Sequence, residues 1–153
     1  MRKIIEFLVI AIVLLVGLNG FAFAGNKASI TVTAVVMPRI SQILSHQEAR
    51  IQITEMDIKR GFIEVPSGTI LQVKTNDRKG YGLFLEGGDE LFKEVWVIDK
   101  GRTTVLSSGG GFVHQPYSGG NIEVKDLSYR FHLREDIQPG IYPFPIRVKA
   151  SLL

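Results

Sequence analysis

From Ala28 onward the chain alternates apolar and polar side chains with a period of two. That period belongs to an extended backbone with one face turned to a core. Ala28, Ile30, Val32, Ala34 and Val36 share one face, and Ser29, Thr31 and Thr33 share the other. Ile51 and Ile53 repeat the pattern, as do Leu71 with Val73, and Tyr81 with Leu83 and Leu85. Leu127, Tyr129, Phe131 and Leu133 alternate with Ser128, Arg130 and His132. The final segment places Tyr142, Phe144, Ile146, Val148, Ala150 and Leu152 on one face. Turn signals separate these runs: Arg60-Gly61, Pro66-Ser67-Gly68, Asn76 to Gly80, Gly87-Gly88-Asp89 and Asp136 to Gly140. Sixteen glycines and six prolines suit many turns better than a few long helices. Ser41 to Arg50 reads as a short helix or a loop, and no other window holds a helical period. Seven to nine short strands at roughly ten-residue spacing predict an all-β, immunoglobulin-like antiparallel sandwich. At 153 residues, one domain accommodates the whole pattern.

Residues 1–24 read differently. Arg2 and Lys3 precede an apolar run from Phe7 to Leu18, and Ala22-Phe23-Ala24 gives a small-x-small site. This is the three-part pattern of a secretory signal peptide, with cleavage expected after Ala24. The apolar run is short for a membrane span, which needs roughly 20 residues. The expected location is the periplasm or cell surface, with membrane attachment only through an uncleaved signal. The domain is expected over 25–153. Cysteine is absent, which excludes a disulfide scaffold, a thiol nucleophile and a Cys-based zinc site. The net charge of +3 comes from interspersed signs, so no basic stripe points to nucleic acid.

Chemistry-bearing patterns are sparse. His46, His114 and His132 lie far apart, with no second ligand at metal spacing. Glu86, Asp89 and Glu90 flank Gly87-Gly88 without the pattern of a calcium loop, and Asp57 stands alone. Gly109 to Gly111 lacks the Lys-Ser/Thr of a phosphate loop. Trp96, flanked by Val95 and Val97, is expected in the core, whereas Phe112 and Tyr117 are expected on an exposed hairpin. No nucleophile with a nearby base can be named, so neither an enzyme nor a cofactor or metal site is expected.

The two ends of the domain carry the most information. Pro143 and Pro145 remove donors from one side of the last strand, which therefore borders an edge, a bulge or a gap. The leading strand starts a few residues after the cleavage site. Burying Ile30, Val32 and Val36 would contribute about 1.5–3 kcal/mol each. A fold lacking such a strand is expected to be barely stable, so the strand inserts into its own domain or into a neighbour.

Ala28-Ser-Ile-Thr-Val-Thr-Ala-Val-Val36 directly after a signal peptide resembles the spore-coat-U-like subunits of archaic chaperone–usher pili. Val65 to Asn76 followed by Gly80-Tyr81 is similar to a central hairpin of such domains. Leu127 to Leu133 followed by Pro139-Gly-Ile-Tyr142 is similar to their closing hairpin. The resemblance implies a non-enzymatic subunit of a fibre or coat, built as an incomplete sandwich. Its groove would be filled first by a periplasmic chaperone, at an outer-membrane usher, and then by the leading strand of the next subunit. The donor would be Ala28, Ile30, Val32, Ala34 and Val36. The acceptor groove would include Phe144, Ile146, Val148, Ala150 and Leu152. Partners would be copies of the chain or sister subunits. The competing expectation is a self-complemented monomeric binding module whose own leading strand closes the sandwich.

Overall fold

The computed structural model describes residues 31–88 and 91–153. The signal peptide expected over 1–24, the donor positions Ala28 and Ile30, and Asp89 with Glu90 lie outside the described residues. Ten strands and one short helix make up the described chain: β1 (Ile40–Gln47), β2 (Arg50–Ile53), α1 (Glu55–Arg60), β3 (Phe62–Thr75), β4 (Tyr81–Gly87), β5 (Phe92–Asp99), β6 (Arg102–Ser107), β7 (Gly110–Gln115), β8 (Glu123–Leu133), β9 (Gly140–Pro143) and β10 (Ile146–Ser151). Eight strands form one antiparallel sheet in the order β1-β3-β8-β5-β6-β7-β4-β10, and β2 pairs with β9 separately. Side chains of β1 reach the backbone of β10, so the sheet curls until its two ends meet, in a sandwich- or barrel-like arrangement.

The core follows the alternation. Leu71 and Val73, Leu83 and Leu85, Val95 and Val97, and Ile146, Val148 and Ala150 are all buried. On β8 the buried positions are Leu127, Tyr129, Phe131 and Leu133. An aromatic group anchors this interior. Phe131 packs on Phe92 at 4.9 Å and on Tyr129 at 5.6 Å, and Phe144 meets Tyr129 and Phe131 edge-on at 5.5 and 5.9 Å. Such edge-on contacts match the quadrupoles of the rings.

Several elements depart from the sequence expectation. Ser41 to Arg50 is neither helix nor loop: it supplies most of β1 and the first residue of β2. Pro66-Ser67-Gly68 does not reverse the chain. It forms a bulge within one fourteen-residue strand, with Ser67 at φ 50° and its N–H held by Ser128 Oγ at 3.0 Å. Gly68 is required there, because a Cβ would lie 2.9 Å from the Tyr129 ring. Trp96 is half-buried on the outer face of β5, against His132 and beneath the Arg130 guanidinium, while its neighbours Val95 and Val97 face inward. Helix α1 escapes the periodicity test because it is only six residues long. It is fixed by a capping box between Thr54 and Asp57 and by Gly61 at φ 79°.

The leading segment is the largest departure. Thr31 to Arg39 belong to no strand, and all are exposed. Val32 is 83% exposed, and Val36, at 77%, adds nothing to the core.

Candidate functional site

The last strand runs as one extended line that changes partners half-way. Over Gly140–Pro143 it pairs with β2, in the register Arg50↔Pro143 to Ile53↔Gly140. Over Ile146–Ser151 it pairs with β4 on its opposite side, from Ile146↔Gly87 to Ser151↔Gly82. The prolines explain the change. Phe144 N–H donates to Ala49 O at 3.0 Å, so even-numbered backbone groups face β2 and β1. Pro143 and Pro145 would donate toward β4, and lacking N–H groups they end that ladder at Ile146.

Beyond Phe144 the even-numbered side of the strand has no backbone partner among the described residues. A seam opens there between β10 and β1, whose other edge is paired with β3. Two glutamine side chains span it. Gln47 Nε2 donates to Ile146 O at 2.5 Å, and Gln42 Nε2 donates to Val148 O at 3.2 Å. Gln42 Oε1 accepts from Ala150 N–H at 2.5 Å. The β2–β9 register, carried three residues further, sets Gln47 opposite Ile146. The amides therefore stand where a ladder would have continued.

The expected groove residues line this seam. Ile146, Val148 and Ala150 point into the core from β10, Phe144 sits at the closed end, and Leu152 is half-buried just past the strand. The expected donor residues Val32, Ala34 and Val36 are exposed and unpaired. Gln42 and Gln47 had no sequence signal beyond being polar residues in an unassigned stretch.

A second opening lies between β6 and β7. These strands share a single pair, Ser107↔Gly110, and then diverge around a cavity of about 490 Å³. Leu83, Leu85, Val97 and Leu127 floor it. Lys125, only 3% exposed, occupies an inward position of β8 in phase with Leu127. Its ammonium donates to Asp99 Oδ2 at 2.9 Å and Gln115 Oε1 at 2.6 Å, and pairs with Glu123 Oε1 at 2.8 Å. Tyr81 OH donates to Glu123 Oε2 at 3.0 Å. Burial, and then the charge of Glu123, push the Tyr81 phenol far up, so it stays a donor. The cluster keeps a buried cation paired, which burial would otherwise penalise by several kcal/mol.

The remaining candidates stay apart. His46 lies 3.5 Å from Glu48, His114 contacts Lys79 O, and His132 packs on Trp96. Phe112 packs on Phe84 at 5.1 Å, whereas Trp96 packs on His132 at 4.8 Å. Among the described residues no three His, Asp or Glu side chains are grouped to hold a metal, and no helix is long and apolar enough to cross a membrane. Comparison with protein-family models, curated proteins and solved structures finds no match.

Proposed function

We propose that the chain is a secreted, non-enzymatic structural subunit that assembles by strand addition. The donor is the segment Ala28–Val36, and the acceptor is the open edge of β10 in a second copy or a sister subunit. The observation that carries this reading is the seam itself. A strand paired on one side by β4 presents Ile146 O, Val148 O and Ala150 N–H on the other, where among the described residues side-chain amides alone meet them. An added strand satisfies such an edge with backbone bonds, and its alternate side chains set the register.

Donation in trans fits the chain better than donation in cis. Only Pro38 and Arg39 separate Met37 from β1. A two-residue hairpin needs positive φ at one or both central positions, and proline is fixed at negative φ. Asn76 also holds the start of β1 in line. Its side chain accepts from Arg39 N–H at 2.6 Å and donates to Met37 O at 3.1 Å. A segment folded back on β1 would moreover run parallel to β10, and parallel pairing is slightly less stable per residue. A second copy is free to present the segment antiparallel. The resemblance to chaperone–usher subunits adds a periplasmic chaperone and an outer-membrane usher as further partners.

The test is electron microscopy and sedimentation of the chain from Gly25, compared with a chain lacking 25–36. Fibres or multimers are expected from the first and monomers from the second. Equal assembly by both would overturn the reading.

A further inference from the structure

We propose that Gln42 and Gln47 are place-holders for the incoming strand, and that their amides set how readily the seam accepts it. The inference rests on the strand-addition reading and concerns what occupies the same edge beforehand. A primary amide offers one N–H donor and one carbonyl acceptor, the same pair of groups that a backbone peptide offers. Gln42 uses both, donating to Val148 O and accepting from Ala150 N–H, an acceptor and a donor that two successive residue pairs of an antiparallel strand would meet. Gln47 supplies the donor for Ile146 O, the first acceptor past the end of the β2–β9 ladder.

The position of these residues on β1 is otherwise hard to account for. The half-buried positions of β1 are Ile40, Gln42 and Gln47, while the apolar Ile43 and Leu44 face solvent. An inward glutamine adds little apolar area to a core. Here it satisfies polar groups on an edge that would otherwise be a template for unspecific pairing. An incoming strand has to displace three hydrogen bonds and replaces each with one of its own. The glutamines should therefore slow acceptance more than they weaken the final complex.

The test uses the full chain from Gly25 and a fluorescent peptide of residues 25–37, followed by stopped-flow anisotropy. The double variant Gln42→Ala with Gln47→Ala is expected to take up the peptide at least tenfold faster than the wild type. Because that variant could fold poorly, Gln42→Glu is the second arm. It keeps an acceptor for Ala150 N–H, loses the donor to Val148 O, and should show an intermediate rate. Amide exchange of wild-type Ala150 without peptide is the third measurement, and protection is expected. Equal uptake rates in folded variants, or an unprotected Ala150 N–H, would overturn the place-holder role and leave strand addition standing. Failure of the peptide to bind any folded form would overturn both.

Discussion

Gln47 stands opposite Ile146, one step beyond the last backbone bond between the two strands, and its side chain makes the contact the backbone no longer makes. The core below is covered on this side: Leu71, Val73 and Ile146 are all buried. Val36 and Met37, which lead into β1, are exposed and take no part in that cover. Removing residues 25–36 should leave the domain folded, with a melting temperature within about 2 °C of the longer chain, a shift worth less than about 1 kcal/mol. Thermal unfolding followed by circular dichroism checks this. A drop of ten degrees or more would mean that the leading segment closes its own sandwich.

That outcome separates what was legible in the sequence from what was not. Alternation located the inward residues of β3, β4, β8 and β10, because those positions are filled by large apolar side chains. It failed on β1, where the seam asks for amides. With glutamine at two of its three half-buried positions, Ile43 and Leu44 both exposed and a bulge between Leu44 and His46, β1 carries no period of two. The leading segment poses the opposite case. Its alternation is strong, but a strand pattern states only that a segment suits a pleated surface, not which chain supplies it. The prolines were informative because a missing N–H constrains one side of a strand whatever the fold. Lys125 was in phase with Leu127 and Tyr129, yet its burial depends on Asp99, Gln115 and Glu123, which neighbour it only in the fold.

Lys125 should matter far more than Lys100, although both contact Glu123. Replacing Lys125 with Met leaves two carboxylates beside a cavity without their shared cation, a loss of about 3–5 kcal/mol. The Lys100 side chain is 67% exposed, and Lys100→Met should cost about 1 kcal/mol or less. Urea denaturation of both variants distinguishes these magnitudes. Similar midpoints would show that the buried pairing is not a stabilising contact.

Acid should loosen the domain both at this cluster and at α1, which lie at opposite ends of the β3–β8 ladder. Burial alone would raise the Glu123 carboxyl, but the hydrogen bond and charge of Lys125, with Tyr81 and Lys100, outweigh it and hold the group below its ordinary value. Asp57 is held low as well, first by the Thr54 hydroxyl, against the opposing effect of burial, and further by Arg60. A carboxyl with a depressed folded pKa contributes stability that is complete above its unfolded value, about 4.3 for Glu. That contribution is lost as pH falls through the folded value. The urea midpoint should therefore hold steady from neutrality to about pH 5 and decline below it. Glu123→Gln should lower the neutral plateau and flatten the decline. An unchanged slope in that variant would assign the acid sensitivity elsewhere.

Phe144 marks the fixed end of the seam, and its substitution should be costly although it is not fully buried. The ring meets Tyr129 and Phe131 edge-on, and its N–H makes the last backbone bond, to Ala49, before the strands part. Truncation to Ala removes both ring contacts and leaves a space between Tyr129 and Phe131 that the flanking Pro143 and Pro145 prevent the backbone from closing. A loss of about 2–3 kcal/mol follows, below the range for a fully buried phenylalanine. Leu152→Ala, at the open end and outside any strand, should cost less than about 1 kcal/mol. Denaturant midpoints for the two variants give the comparison. Equal losses would show that the aromatic contact does not hold the seam at this end, and that the strands are kept together by the β2–β9 ladder alone.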